Sequence, residues 1–222
     1  MEKLEFINNS KQTILRDVRN KNNILLLNIY GEIEGHENLG STSKKTSYDE
    51  LLPILAYAQA DNDISGVMVL LNTLGGDVEA GLAIAEMIAS LDKPTVSLVL
   101  GGSHSIGVPL SVSCDRTFIA PTATMIVHPI RMHGMVLGVT QNYAYIERMQ
   151  DRIISFTVSH SGIDEKSLRN IMFNTKELTK DIGSVLIGKQ AVEKKIIDSV
   201  GGFAVALNSL YDLIYKRNNS KM

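Results

Sequence analysis

The sequence predicts an α/β fold, a largely parallel sheet layered with helices and joined by right-handed crossovers. Three observations carry this expectation. Gly66–Leu71 (GVMVLL) is a continuous apolar run, the pattern of a strand buried on both faces of a parallel sheet, and Thr95–Leu100 (TVSLVL) reads as a second buried strand. Each run is followed at once by a glycine-bearing turn. Beyond the first turn Leu82, Ile84, Met87, Ile88 and Leu91 recur at helical spacing, and beyond the second a short helix is expected from Ser105.

The remaining elements follow in order. Residues 1–23 are charged and asparagine-rich and read as a weakly held N-terminal arm. Ile24–Tyr30 is a short apolar run closed by Gly31, a buried strand. Glu32 to Thr46 is polar, with glycine, serine and lysine, and reads as an exposed loop. Ser47 is placed to cap a helix running to about Gln59, with Leu51, Leu52, Ile54 and Leu55 on its apolar side. Asp92-Lys93-Pro94 stops the helix that begins near Val78. Two short strands are expected near Thr117–Ala120 and Met125–His128.

Gln141 to His160 contains no glycine or proline, and Tyr143, Ile146, Met149, Ile153 and Phe156 step along one face of a long helix. That face must cover either its own domain's core or a neighbouring subunit, and both readings stay open. Helices near Asp164–Asn174, Lys189–Lys195 and Ala204–Tyr215 complete the chain. Residues 24–217 read as one domain and 218–222 as a flexible tail.

Composition narrows the function. The 222 residues are 44% hydrophobic and lack Trp, so the core is expected to be aliphatic. A net charge of -2 gives no basis for a nucleic-acid or anionic-membrane partner. The single cysteine, Cys114, cannot form an internal disulfide and sits among short apolar residues as a small hydrophobe. The first residues are polar where a secretory signal needs an apolar run, and no stretch of the chain is apolar enough to span a membrane. A cytoplasmic protein without membrane insertion is the expectation.

Chemistry concentrates in the two glycine turns, Asn72–Val78 (NTLGGDV) and Gly101–Gly107 (GGSHSIG). Both should lie at the carboxyl ends of parallel strands, where ligand sites gather. Neither matches a phosphate-binding pattern, so nucleotide binding is disfavoured, and no pattern calls for a metal or other cofactor. Ordinary tight turns would also use glycine. The pattern suits acyl transfer as well: Ser105 stands where strand turns to helix, among Gly101, Gly102, Ser103 and Gly107, close to the unpaired N–H groups of a helix start. This is similar to a nucleophile elbow, with Ser103 in the place of its first glycine. A serine needs a base within hydrogen-bond reach. Of the five histidines, His104 adjoins the serine and should point elsewhere, while His36 and His160 look solvated. His133 lies in a glycine-containing loop. His128 ends the strand Met125-Ile126-Val127 and is held by Pro129.

LNTLGGDVEAG, GGSHSIGVPL and ATMIVHPIR, in this order and spacing, resemble the Clp proteolytic subunit family over about Ile24 to Gly201. Within that family LGGSHSIGVP and IEGHENLGSTSKKTSYDELLPIL look most like its translocation-enhancing branch, which is linked to protein export. The resemblance implies a spiral of strand–helix repeats of the Clp/crotonase type with a protruding long helix. It implies a serine endopeptidase acting on peptides or unfolded protein, assembled as a homo-oligomeric ring; whether an unfoldase docks on that ring stays open. In it Ser105 would attack the peptide carbonyl, His128 would be the base, and the N–H groups of Gly76 and Ile106 would hold the oxyanion. The family's acid precedes a segment matched here by Ala191–Asp198; counting back in register reaches Gly183, and Asp181, two residues earlier, is the candidate, with Glu177 or no acid at all as the alternatives. The segment RMHGMVLGVTQN before the long helix lacks the family's glycine-rich pattern. Two other readings stay open: a ring-fold scaffold that binds exported proteins without cleaving them, and a crotonase-like acyl-CoA enzyme using a glutamate such as Glu79.

Overall fold

The computed structural model describes residues 12–17, 22–36, 40, 43–131, 139–176 and 182–220. Their strands are β1 Thr13–Asp17, β2 Asn22–Glu34, β3 Lys45–Ser47, β4 Ile64–Gly76, β5 Thr95–His104, β6 Arg116–Ile119, β7 Thr124–Val127, β8 Ser184–Ile187 and β9 Ser199–Val200. Their helices are α1 Tyr48–Ala60, α2 Val78–Ala89, α3 Gly107–Val112, α4 Val139–Ser159, α5 Glu165–Met172, α6 Lys189–Glu193 and α7 Phe203–Ser220.

The two apolar runs form the centre of the sheet. In the order β1-β2-β4-β5-β6-β9, strands β2, β4, β5, β6 and β9 are mutually parallel, and β1 adds antiparallel to β2. Val67, Met68, Val69, Leu71, Val96, Leu98 and Val99 are fully buried, because helices cover both faces of these strands. On one face Leu51, Ile54, Leu55, Ile84 and Ile88 of α1 and α2 join the larger core. On the other, Ala206, Leu210 and Ile214 of α7 pack on Met68, Leu70, Val96, Leu98 and Phe118. The α/β class is therefore as the sequence predicts.

The sheet branches along β5. Its first half, Val96–Val99, pairs with Arg116–Ile119 of β6, while Gly102–His104 pairs with Thr124–Ile126 of β7. β7 then pairs antiparallel with β8, Val127 lying opposite Ser184. The strand that carries the second glycine turn is thereby given a new neighbour just where the turn begins.

Several local readings change. Lys45–Ser47, read as part of an exposed loop, is a strand parallel to Glu32–Glu34. Thr46 exchanges hydrogen bonds with the Tyr30 backbone, and the buried Glu34 carboxylate takes the Lys45 ammonium and the Ser47 hydroxyl (2.6 Å). That is also why Ser47, though it stands at the N-cap of α1, makes no capping bond with its side chain. Thr13–Asp17, within the segment read as an arm, pairs along Asn22–Leu26. In α4, Met149, Ile153, Ile154 and Phe156 are buried in the chain's own core, whereas Tyr143 and Tyr145 at its other end are 67% and 52% exposed. The last helix continues past Tyr215 to Ser220.

Candidate active site

The register of β5 and β7 decides what meets at the end of the sheet. Ser103 lies opposite Met125 and His104 opposite Ile126, and the Ser105 N–H donates to the Ile126 carbonyl at 2.8 Å. Ser105, one residue beyond His104, and His128, two residues beyond Ile126, come to the same edge. Both are half-buried and line one cavity of about 300 Å³, together with Gly76 and Ile106. The sequence-designated serine, histidine and oxyanion residues are therefore brought together.

Ser105 holds φ at 57°, in the left-handed region that non-glycine residues rarely adopt. Such strain persists only where surroundings enforce it. Here the strand bond to Ile126 fixes one side of the turn, and the Val108 N–H bonded to the Ser105 carbonyl (3.0 Å) fixes the other. The fully buried Ser103 contributes its hydroxyl to the Gly107 carbonyl at 2.6 Å, so the two serines of the turn differ in kind. Ser103 is a structural clamp. Ser105 Oγ makes no hydrogen bond among the described residues and faces the cavity.

Gly75 and Gly76 pass directly beside this turn. A Cβ on Gly75, at φ +93°, would come within 2.7 Å of both the His104 carbonyl oxygen and the Ser105 Cβ. Only glycine lets the first turn approach the second so closely. The Asp77 N–H bonds back to the Ile33 carbonyl on β2 at 3.0 Å. Asn72 ties the two turns together, its side-chain carbonyl accepting from the Gly102 N–H at 3.0 Å.

His128 Nδ1 lies 2.7 Å from the carbonyl oxygen of Pro129. A carbonyl only accepts, so Nδ1 carries the proton and Nε2 keeps its lone pair. Burial holds the imidazole below its ordinary titration range, opposed by the Pro129 bond and reinforced by the nearby Arg131 guanidinium. The His104 ring turns away from the cavity to Thr124 Oγ1, 2.8 Å from its Nε2, and is itself held below the ordinary range by burial and by His128. No hydrogen bond joins Ser105 Oγ to His128 among the described residues.

Opposite His128 across the β7–β8 ladder stands Gly183 at φ +140°, where a Cβ would come within 2.6 Å of the Val127 carbonyl and 2.8 Å of the His128 Cβ. The sequence alone gave no sign of this close packing. Asp181, Glu177 and His133 lie outside the described residues. Of the other candidates, His36 Nδ1 meets the Tyr48 hydroxyl at 3.0 Å and His160 Nδ1 meets the Phe156 carbonyl at 2.8 Å. Glu79 is held outside the cavity by a two-pronged pair with Arg152 (2.6 and 3.0 Å), which keeps its carboxyl below the usual range. Burial pushes the Cys114 thiol up to about 12, consistent with an inert small hydrophobe.

Sequence reading did not anticipate most of the cavity wall. Leu74 and Val78 come from the first turn and Ile130 from beyond β7, while Ile153 and Thr157 of α4 with Leu168 and Met172 of α5 close the far side. Ile153 belongs to the apolar stripe of the long helix; nothing in periodicity distinguishes a cavity-lining position from a core one. Among the described residues, Glu32 and Arg131 are the charged groups lining the cavity.

Comparisons with known proteins identify the family. A family model described as Clp protease matches residues 25–204. The translocation-enhancing protein TepA of Halalkalibacterium halodurans is 48% identical over 197 residues, covering 89% of this chain and 77% of that protein. ATP-dependent Clp protease proteolytic subunit 1 of Chlamydia caviae is 24% identical over 139 residues, 58% of this chain and 73% of the relative. The protein of the same description from Chlamydia pneumoniae is 26% identical over 147 residues, 62% of this chain and 77% of the relative.

Proposed function

The chain belongs to the Clp protease family and has a protease-type fold, and from that premise we propose that it is a serine endopeptidase whose nucleophile is Ser105. The observation that carries the proposal is the strained Ser105 (φ 57°) sharing one cavity with His128, Gly76 and Ile106. Ser105 Oγ attacks the peptide carbonyl carbon while His128 Nε2 takes its proton. The carbonyl π electrons move onto oxygen, which the N–H groups of Gly76 and Ile106 stabilise; each such donor is typically worth about 3 kcal/mol in the transition state. The tetrahedral species collapses, the C–N bond breaks, and Nε2–H returns the proton to the departing amine. Water then releases the acyl group by the same steps in reverse.

The apolar wall formed by Leu74, Val78, Ile130 and Met172 suits an apolar side chain next to the cleaved bond. A disordered or unfolded chain is the fitting substrate, because an extended peptide must reach the end of the sheet. Self-assembly through the exposed end of α4, with Tyr143 and Tyr145, is part of the same reading, as is the link to export suggested by the relative's name. Among the described residues no helix is long and apolar enough to cross a membrane.

The purified protein is expected to cleave an unstructured fluorogenic peptide, and Ser105→Ala and His128→Ala each to abolish cleavage. Cleavage that survives Ser105→Ala would overturn the assignment. A non-cleaving scaffold is favoured by one observation, the absence of a Ser105–His128 hydrogen bond among the described residues. It predicts that Ser105→Ala leaves export unchanged. The acyl-CoA reading gains no support from Glu79, which Arg152 engages.

A further inference from the structure

The sheet separates two cores that differ in their relation to the family. The buried residues of the larger core run from Leu25 to Ile197, inside the stretch 25–204 that matches the Clp protease family. The smaller core is closed by α7, which from residue 205 onward lies beyond that stretch. Along α7 Ala206, Leu210 and Ile214 recur every four residues and are buried, while Asn208, Asp212 and Lys216 are exposed: an amphipathic helix lying on one face of the sheet. Met68 and Leu98 beneath it are fully buried, and their strand neighbours Val67, Val69 and Val99 turn to the other core. The seat is shaped for the helix. A Cβ on Gly66 would lie 3.1 Å from both Leu210 Cδ1 and Ile214 Cδ1, so the bare backbone of β4 lets α7 settle onto the sheet. Between β9 and α7 stand Gly201 and Gly202. The Gly201 N–H is anchored to the Ile119 carbonyl at 2.9 Å, whereas a Cβ on Gly202 would meet nothing within 4 Å among the described residues.

We infer that this face of the sheet is a helix-binding groove whose resident ligand is the chain's own α7, releasable as a unit on the Gly201–Gly202 joint. The arrangement is that of an amphipathic helix laid into an apolar groove, with anchors at i, i+4 and i+8, except that ligand and groove belong to one chain. While α7 is seated, Met68, Leu98 and Phe118 are covered and the groove is closed to other proteins. Release exposes them together as one apolar surface, which a helix with the same spacing of apolar side chains would cover again. The larger core shares none of its buried residues with this cluster, so the body of the fold holds when α7 leaves. The inference does not depend on the peptidase reading, since no residue of α7 lines the cavity of Ser105.

The test is made on the full chain. Hydrogen exchange followed by mass spectrometry should show the amides of α7 exchanging together, about ten-fold or more faster than those of β4 and β5. Ile214→Ala, a mild loss of contact, should speed exchange in α7 further and leave β4 and β5 unchanged. Leu210→Asp sets a carboxylate against an apolar seat and should hold α7 out. A fluorescent peptide with the sequence of residues 203–220 should then bind Leu210→Asp one to one, and bind the wild type at least about ten-fold more weakly, because there it competes with a ligand already in place. The same peptide carrying Leu210→Asp should bind neither. Wild-type α7 amides that exchange only as slowly as those of β4 and β5 would overturn the inference. So would an Ile214→Ala chain whose β4 and β5 lose protection along with α7, or a peptide captured equally by the wild type and by Leu210→Asp. A Leu210→Asp chain that fails to fold would count against it too, since the body of the fold would then need α7.

Discussion

The two glycine turns occupy equivalent places, each at the carboxyl end of a central parallel strand and each opening a helix. The first ends in Asp77, in extended conformation, whose carboxylate accepts from the Ala80 N–H at 2.8 Å: an ordinary helix cap. The second ends in Ser105, in the left-handed region, with a hydroxyl that caps nothing. Asp77 relaxes the start of its helix, whereas Ser105 is held against its preference by bonds on both sides. A polar side chain that satisfies its own turn is structural, and one that is strained and left facing a cavity is available for chemistry. The first turn reaches the same cavity with Gly76 and sets the bare flank of Gly75 against the Ser105 Cβ.

Substitutions can break this contrast, and the largest effect is expected at Ser105. Ser105→Ala should lower kcat by about 10⁶ while leaving the fold intact. Ser105→Gly should be equally inactive but more stable than Ser105→Ala by about 1 kcal/mol, since glycine accepts the left-handed backbone, as urea denaturation would register. Gly75→Ala drives a methyl into the His104 carbonyl and the Ser105 Cβ from a backbone that disfavours any side chain. A loss of roughly 2 kcal/mol in stability is expected, with a drop in peptide cleavage larger than that loss explains. Asp77→Ala should cost about 1 kcal/mol through the lost cap and show as a lower Tm, with fluorophosphonate labelling retained. Glu79→Gln, in an exposed pair with Arg152, should change stability by less than about 1 kcal/mol. If Asp77→Ala silenced labelling as fully as Ser105→Ala, the division of labour between the turns would be wrong.

What could be read from the sequence follows from which features are local. GVMVLL announces a buried parallel strand because it carries no polar side chain, TVSLVL because Val and Leu dominate it, and the glycines that follow mark turns wherever they occur. His128 was identifiable because a strand-end histidine before proline has few other positions to take. Lys45–Ser47 was not, since its pairing depends on the buried Glu34 and the Tyr30 backbone, which only the assembled sheet supplies. β8 and β9 have four and two residues, too few for any periodicity to show. The close fit of Gly183 beneath His128 appears only once β8 lies antiparallel to β7. The Pro129 carbonyl leaves no trace in composition or spacing, because a backbone acceptor belongs to every residue and only geometry selects one.

Peptide mapping by mass spectrometry after fluorophosphonate treatment addresses the central claim most directly, because the turn holds two serines that the fold treats differently. The account predicts a single adduct on Ser105, with Ser103, buried and bonded to Gly107, unmodified. An adduct on Ser103, or none on either serine in a folded protein, would contradict it.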